Sequence, residues 1–234
     1  MTRTASPDSP IPSLNAIVDL EVSARAGWDA VDLAAAFLRG GARFLQIRAK
    51  EASGSEFLAI STRVVELAHG YDALVIVNDR ADIARLSGAD GVHVGQDDLA
   101  PRDVRRVVGD RAIVGLSTHT VDQLIDAVRQ PVTYVAIGPV FGSVTKATGY
   151  DAVGLDMVRA AAVCAWQANL PLVAIGGITL DTGASVLQAG AASVAVIGDL
   201  LATGDPEARV RAFLDGMRVK GSDPGSDPFA GAEG

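Results

Sequence analysis

The chain has 234 residues, of which 49% are hydrophobic and 21% charged, and these fractions exclude wholesale disorder and collagen-like repeats. Its formal net charge of −8 argues against a nucleic-acid partner, because nucleic-acid-binding surfaces are basic, and the single Cys164 excludes an internal disulfide. The sequence shows neither a signal segment after Met1 nor an apolar run of the roughly 20 residues that a membrane span needs. We therefore expect a cytoplasmic protein with no membrane partner.

The two ends of the chain are rich in Pro, Gly, Ser and Asp. Residues 1–12 and 219–234 hold too few apolar side chains to offset the entropy that ordering would cost. We expect a flexible N-terminal tail, one catalytic domain over residues 13–218, and a flexible C-terminal tail.

Between these tails, short β-branched runs alternate with longer segments of helical period. The predicted strands cover residues 14–19, 43–48, 73–77, 91–94, 112–116, 134–137, 172–176 and 193–197. The predicted helices cover residues 30–38, 56–68, 81–86, 101–108, 121–129, 155–168, 180–189 and a last one near 206–217. Eight strand–helix units in about 200 residues predict an α/β protein with the closed (β/α)₈ (TIM) barrel fold in one domain. An open doubly wound sheet is the alternative, although no G-x-G-x-x-G phosphate motif follows the first strand.

A Gly-Ala pair comes just before three of the predicted strands, in the segments GGARFLQ, GADGVHV and GAASVAV. Glycine at this place suits the left-handed residue that ends a preceding helix. The repeated Gly-Ala pairs support a fold of repeated units and carry no functional information.

Polar side chains gather where the second strand ends. In a (β/α)₈ barrel the active site lies at the carboxyl ends of the strands. Gln46, Arg48 and Lys50 would point to the same side if the strand continues that far, because side chains alternate along a strand. Two cations and an amide would then converge on one spot, which favours an anion site over solvated surface charges.

Acidic residues follow the third and fourth strands. Asp79 and Asp98 supply one carboxylate from each of two adjacent strand ends, and Mg²⁺ prefers one or two carboxylates together with water and phosphate oxygens. The neighbouring Asp97 is better interpreted as a turn or helix-start acid before Pro101. His93 lies within an apolar strand, and we expect it to be a packed, hydrogen-bonded residue and not a catalyst.

The last strand ends carry phosphate-binding features. The loop after the sixth strand contains Ser143, Thr145 and Lys146, a composition that suits a flexible phosphate-gripping segment and is also common in surface loops. The seventh and eighth strands run into Gly177 and Gly198, where glycine exposes backbone N–H groups.

Together these residues predict two anion sites at the same end of the barrel, and so an enzyme with two substrates. The first combines cations with a metal site and suits a diphosphate: Arg48, Lys50, Asp79, Asp98 and Lys146. The second is a backbone cradle that suits a monophosphate: Gly177, Ile197 and Gly198.

The motifs, in their order along the chain, resemble those of the thiamine phosphate synthase family. They are GGARFLQIRAK, VIVNDRADIA, GADGVHVGQDDL, VGLSTHT, YVAIGPVFGSVTK, GLDMVRA, VAIGGI and GAASVAVIG, and the resemblance covers nearly all of residues 13–200. It implies a (β/α)₈ transferase that joins hydroxymethylpyrimidine diphosphate to a thiazole phosphate, giving thiamine monophosphate and pyrophosphate. It also implies Mg²⁺ as cofactor and, together with the short apolar helices, a homodimer.

The resemblance implies a role for each matching residue. The pyrimidine diphosphate would contact Gln46, Arg48, Lys50, Asn78, Ser117 and Lys146. Of these, the catalytic set would be Arg48, Lys50, Ser117 and Lys146, with Asp79 and Asp98 holding Mg²⁺. The thiazole phosphate would contact Ser143, Thr145, Gly177, Ile197 and Gly198.

Three positions depart from the family pattern. Ser143 stands where Thr is usual and keeps the hydroxyl, whereas Gly198 stands where Ser is usual and keeps only the backbone donor. The opening LNAIVDL replaces a run similar to YLITD. We expect lower thiazole-phosphate affinity at most, with activity retained.

The reaction that the resemblance implies is a dissociative substitution. The diphosphate leaves first, and the thiazole nitrogen then captures a pyrimidine-methyl cation. This path needs charge neutralisation and two aligned substrates, which agrees with the lack of an evident Ser/His/Asp or Cys/His set.

Three other functions compete with this interpretation. A related thiazole tautomerase would use a histidine such as His119 as general acid and base, but would leave the cation and carboxylate set without a purpose. A sugar-phosphate isomerase or epimerase shares the cradle but needs a base over a carbon acid, which no strand end singles out. A non-catalytic binder of thiamine precursors would release no pyrophosphate.

Overall fold

The computed structural model describes residues 11–142 and 151–218, which form a closed barrel of eight parallel strands in chain order. The strands are β1 Leu14–Asp19, β2 Phe44–Arg48, β3 Leu74–Asn78, β4 Gly91–Val94, β5 Ile113–Thr118, β6 Tyr134–Ile137, β7 Leu172–Ile175 and β8 Ser193–Val196. The barrel closes where Leu14 of β1 pairs with Val194 of β8. The predicted single-domain (β/α)₈ fold is confirmed, and the open doubly wound alternative is wrong.

Helices connect the strands and cover the outside of the barrel. They are α1 Leu20–Arg25, α2 Ala30–Arg39, α3 Gly54–His69, α4 Ala81–Ser87, α5 Pro101–Val108, α6 Val121–Ala127, α7 Gly154–Gln167, α8 Leu180–Gln188 and α9 Pro206–Arg218, with a 3₁₀ helix at Gly198–Leu201. Each predicted strand and helix has its counterpart, and no end differs by more than two residues. The predicted flexible tails lie outside the described residues, apart from residues 11 and 12.

Two short helices escaped the sequence prediction, α1 and the 3₁₀ helix. Helix α1 lies between the first predicted strand and the first predicted helix, and Asp19 starts it by accepting a hydrogen bond from the Val22 N–H at 2.9 Å. Ser23 adds a second link by donating to the Asp19 carbonyl at 2.6 Å. Asp19 is also the last residue of β1, so the sequence pattern assigns it to the strand and does not show that it caps a helix.

The Gly-Ala pairs have the backbone conformation that the sequence predicts. Gly41, Gly88 and Gly190 have φ angles of 105°, 74° and 103°. A Cβ atom on Gly190 would also lie 2.6 Å from the Cβ of Ala162, so no larger residue fits there. These glycines follow helices α2, α4 and α8 and precede strands β2, β4 and β8, as expected.

Strand alternation sorts the barrel side chains into two sets. One set faces the helices, while the other fills the barrel interior with Ile17, Phe44, Ile76, Ile113, Tyr134, Ala136, Val173 and Ala195. Residues of the interior set become polar toward the carboxyl ends of their strands, where Gln46 and Arg48 follow Phe44 in β2 and Ser117 follows Ile113 in β5. The apolar interior therefore forms the floor under a polar mouth.

In residues 11–142 and 151–218, no helix combines the length and the apolar composition that crossing a membrane requires.

At the opposite end of the barrel, the Arg105 guanidinium ties together the segments that lead into β5 and β6. It donates to the carbonyl groups of Gly109, Asp110, Ala112 and Pro131 and to the Thr133 hydroxyl, over distances of 2.5 to 3.3 Å. Arg105→Met is therefore expected to lower the free energy of unfolding by about 2–3 kcal/mol, since several backbone acceptors lose their donor. Urea denaturation measures this loss.

The control for this prediction is Arg106→Met on the same helix. The Arg106 side chain is 81% exposed and pairs with Asp103 one helical turn away. Such surface pairs contribute little, so a change below about 0.5 kcal/mol is expected. Equal losses in the two variants would contradict the role given to Arg105.

Candidate active site

Two adjoining cavities open at the carboxyl ends of the strands. The smaller has a volume of about 270 Å³ and the larger about 430 Å³. Both are lined by Ser117, His119, Ile175 and Ile197, which form their common boundary. Two ligands bound side by side would therefore meet at this boundary, in the arrangement that the sequence predicts.

The described residues of the predicted site divide between the cavities. The smaller cavity is lined by Gln46, Arg48, Lys50, Asn78, Asp79, Asp98 and Ser117, which are the residues assigned to the pyrimidine diphosphate and Mg²⁺. The larger cavity is lined by Gly177, Ile197 and Gly198, which are assigned to the thiazole phosphate. Ser143, Thr145 and Lys146 lie outside the described residues, so their place in the site stays a prediction.

Arg48 is held by a carboxylate that the sequence reasoning missed. Asp19 forms an ion pair with the Arg48 guanidinium, and its side chain is only 2% exposed. The register of β1 and β2 places the two residues directly side by side. Since the Val22 N–H also fixes this carboxylate, Arg48 extends into the mouth from a rigid support.

Glu21 anchors the backbone that carries Lys50. Its Oε1 accepts hydrogen bonds from the N–H groups of Lys50 at 2.8 Å and Glu51 at 2.9 Å. Partial burial acts to raise the pKa of Glu21, but the N–H groups of Glu51, Glu21 itself and Lys50, together with the Asp19 side chain, outweigh it and the pKa is lowered. Asp19 at the end of β1 and Glu21 in α1 therefore both position cations that lie at or just after the end of β2.

Asp79 follows β3 in an unusual backbone conformation. Its φ angle is 64°, in the left-handed region that few residues other than glycine adopt. The Asp79 N–H donates to the His93 carbonyl at 2.7 Å, and the carboxylate pairs with the Lys50 ammonium. Strained backbone of this kind clusters at functional sites, where it fixes the direction of a side chain.

Asp98 follows β4 and lies in electrostatic contact with Asp79. Its Oδ2 accepts from the Gly95 N–H at 2.7 Å. Burial raises the pKa of Asp98 above its usual value, and the neighbouring Asp79 charge adds to the increase against the effect of the Gly95 N–H. Two carboxylates thus repel each other at the mouth of the smaller cavity.

This donor pair fits a magnesium ion. The described residues contain no group of three or more His, Cys, Asp and Glu side chains that could hold a metal. Mg²⁺ needs no such cage, because it takes one or two carboxylates together with waters and substrate phosphate oxygens. A divalent cation would also relieve the repulsion between Asp79 and Asp98.

The charges around the smaller cavity also favour a bound divalent cation. Among its described lining residues, the carboxylates of Asp79, Asp97 and Asp98 outnumber the two cations of Arg48 and Lys50. Each of these cations is already paired with a carboxylate. A diphosphate would meet net repulsion here unless a divalent cation accompanied it.

His93 is packed and hydrogen-bonded, as expected, but it also connects to the site. It is 8% exposed, its Nδ1 lies 2.8 Å from the Tyr134 hydroxyl, and its Nε2 lies 2.8 Å from Ser117 Oγ. Burial raises the pKa of Tyr134, which keeps the phenol protonated and able to donate to Nδ1. The His93 ring therefore links Tyr134 to Ser117 and fixes the position of the Ser117 hydroxyl.

His119 lies on the boundary between the cavities. Its Nδ1 lies 2.5 Å from the Gly138 carbonyl oxygen, and because a carbonyl only accepts, Nδ1 carries the ring hydrogen. The Gln96 side chain donates to the Ser117 carbonyl at 2.6 Å and braces the same boundary. The fixed ring orientation suits a wall between two ligands.

The cradle of the larger cavity depends on glycine. Gly177 has a φ angle of 64°, and a Cβ atom on it would lie 2.6 Å from the Gly142 carbonyl oxygen. The loop after β6 is tied to the end of β7, since Phe141 donates its N–H to the Gly176 carbonyl at 3.0 Å. Across the cavity, Gly198 begins the 3₁₀ helix, so backbone N–H groups border the cavity from two strand ends.

Comparisons with known proteins agree with this geometry. The family model for thiamine monophosphate synthase matches residues 14–200. The thiamine-phosphate synthase of Roseiflexus castenholzii is 39% identical over 208 residues, which cover 88% of this chain and 90% of that protein. The thiamine-phosphate synthase of Anaeromyxobacter dehalogenans is 43% identical over 202 residues, covering 85% of this chain and 89% of that protein.

Solved structures show the same relationship. The thiamine phosphate pyrophosphorylase from Pyrococcus furiosus superposes with a TM-score of 0.78 at 28% identity, covering 88% of this chain and 96% of that one. The tryptophan synthase alpha subunit from Legionella pneumophila, with a TM-score of 0.64 at 15% identity, shares the fold alone. Because the family model spans most of the chain and the relatives match along nearly their whole length, the chain belongs to the thiamine monophosphate synthase family.

Proposed function

We propose that this transferase joins hydroxymethylpyrimidine diphosphate to a thiazole phosphate, forming thiamine monophosphate and releasing pyrophosphate, with Mg²⁺ as its cofactor. The observation that carries the proposal is the pair of adjoining cavities. One is lined by carboxylates, cations and amides and the other by a glycine cradle, and Ser117 lies on their boundary. This arrangement would place a diphosphate ester and a phosphate monoester with their ring ends in contact.

The reaction breaks the bond between the pyrimidine methylene carbon and the diphosphate oxygen, and the electron pair leaves with pyrophosphate. The thiazole nitrogen then donates its lone pair to the methylene carbon, so no proton transfer is needed. Arg48 and Lys50 would neutralise charge on the leaving group, and the Ser117 hydroxyl would orient the pyrimidine. When bound at Asp79 and Asp98, Mg²⁺ would supply further charge neutralisation on the diphosphate.

The tautomerase alternative is supported by His119 alone, which lines both cavities. Proton transfer on a thiazole would need neither the Asp79 and Asp98 pair nor the Arg48 guanidinium. Since those groups are held in place by a buried carboxylate and a strained backbone, the synthase explains more of the site.

The proposal is tested by measuring pyrophosphate release from the purified protein. The pyrimidine diphosphate is supplied with and without the thiazole phosphate, in Mg²⁺ and in excess chelator. We expect release only when both substrates and Mg²⁺ are present. No release from a protein that still binds the thiazole phosphate would favour the tautomerase or a non-catalytic binder.

Asp19→Asn tests the support of Arg48. Asparagine still caps α1 but no longer neutralises or holds the guanidinium. We expect the KM for the pyrimidine diphosphate to rise about tenfold while the KM for the thiazole phosphate stays unchanged. Steady-state kinetics with each substrate varied in turn measures both constants.

The matched control for this variant is Asp29→Asn. Asp29 caps α2 through the Val31 N–H at 2.9 Å and does not line either cavity. Both variants therefore lose one capping charge, and only Asp19→Asn also loses an active-site ion pair. If the two gave the same kinetics, Asp19 would be a helix cap without a role in binding.

A further inference from the structure

The larger cavity contains a carboxylate beside its phosphate cradle. Among its described lining residues there is no lysine or arginine, and Asp199 is the acidic one. Asp199 follows Gly198 directly in the 3₁₀ helix. A phosphate monoester in the cradle would therefore face a negative charge at close range, which would weaken its binding unless that charge were compensated.

Arg209 of α9 compensates this charge from behind the cavity wall. Its Nη2 donates to Asp199 Oδ2 at 2.7 Å and its Nε at 3.2 Å, and Nε also lies 3.1 Å from the Asp199 carbonyl oxygen. The two side chains are only 19% and 16% exposed. The guanidinium also lies over the ring of the buried Phe213, 5.8 Å from its centroid, so the ion pair is anchored in the core.

The same carboxylate joins the two halves of the cradle. Asp199 Oδ2 accepts from the Leu180 N–H, at the start of α8, at 3.0 Å. The loop after β8 is thereby fastened to the helix that follows the Gly177 turn, and Arg209 holds both from α9. Because Asp199 takes the Leu180 N–H, a ligand phosphate is left to the N–H groups of the glycine turns.

We infer that Arg209 is a positioning residue for the phosphate cradle. It neutralises Asp199 and holds it against α8, so that a phosphate monoester can bind beside it. This inference rests on the proposed function, in which that monoester is the thiazole phosphate. Because Gly198 provides no side-chain hydroxyl, the cradle depends on backbone N–H groups, and Arg209 would keep these in place through Asp199.

The test compares three variants with the wild type by steady-state kinetics. Arg209→Gln should raise the KM for the thiazole phosphate about tenfold and leave the KM for the pyrimidine diphosphate within about twofold. Asp199→Asn should lower the thiazole-phosphate KM, since it removes the repelling charge while the asparagine oxygen can still accept from the Leu180 N–H. The double variant should return to within about threefold of the wild type.

A purely structural pair would behave differently. Each single variant would then raise both KM values, and the double variant would be no better than Arg209→Gln alone; either result overturns the inference. Arg211→Gln is the matched control, because Arg211 lies on the same helix and pairs with the partly exposed Glu207. It should leave both KM values unchanged.

Calorimetric titration with the thiazole phosphate and with inorganic phosphate separates this inference from the proposed function. If the wild type released no pyrophosphate but bound either ligand more tightly than Arg209→Gln does, the proposed function would be wrong. The positioning role of Arg209 in the phosphate cradle would still be supported. If wild type and Arg209→Gln bound both ligands equally, or the wild type bound neither, the inference would fail.

Discussion

Asp98→Asn is expected to lower kcat about 100- to 1,000-fold at saturating substrates, because one of two carboxylates that would hold Mg²⁺ against the diphosphate is lost. Asparagine keeps an oxygen that can accept from the Gly95 N–H, so the turn after β4 should persist. The measurement is pyrophosphate release over a range of Mg²⁺ concentrations. An unchanged kcat would remove Asp98 from the metal site.

Asp97→Asn is the matched control, since Asp97 is the adjacent acid and also lines the smaller cavity. The sequence predicts that Asp97 is a turn or helix-start acid, so a loss of kcat below about threefold is expected. A second readout is the affinity for Mn²⁺, measured by electron paramagnetic resonance without substrates. Asp98→Asn should weaken it and Asp97→Asn should not.

Asp98→Asn should lower kcat without lowering the free energy of unfolding. The pKa of Asp98 is raised in the folded protein by burial and by Asp79, so its ionised form disfavours folding at pH values above its folded pKa. In excess chelator at neutral pH, Asp98→Asn should unfold at an equal or higher urea concentration than the wild type. This difference should close as the pH falls below the ordinary carboxyl pKa, where Asp98 is protonated in both states.

The strand ends could be predicted from sequence because a parallel barrel brings all of them to one face. Alternation along β2 sets the direction of Gln46 and Arg48, and Asp79 and Asp98 come from the next two strands. Motif order then identified the family. Locating these residues required only the order of the strands and the direction in which each ends.

The supports of these residues could not be predicted in the same way. Asp19 lies 29 residues from Arg48, and Tyr134 lies 41 residues from His93, so each pairing depends on strand register and side-chain conformation. Asp199 and Arg209 are closer in sequence, but their contact depends on how α9 packs against the loop after β8. Sequence patterns locate polar residues at strand ends, whereas packing decides which of them hold others in place.

Gly115→Ala should be strongly destabilising, because Gly115 lies in the barrel interior against the side chains of Tyr134 and His93. A Cβ atom on Gly115 would lie 2.5 Å from His93 Nδ1 and closer still to the Tyr134 ring. Tyr134 is fully buried, stacks on His93 with 5.5 Å between centroids, and packs edge-on against Phe44, so the ring has nowhere to move. We expect a loss of more than about 3 kcal/mol in the free energy of unfolding, since overpacking forces the surrounding core apart.

The same substitution should impair the site, because His93 fixes Ser117 through its Nε2. Any Gly115→Ala protein that folds should therefore show a lower kcat as well as a lower urea midpoint. Gly183→Ala in α8 is the control: its nearest neighbour, an atom of the Phe213 ring, would lie 3.5 Å away. Alanine is the better helix former, so this control should gain up to about 1 kcal/mol. Wild-type stability in Gly115→Ala would show that the Tyr134 ring can shift, and the Tyr134–His93–Ser117 chain would then be too loose to orient a substrate.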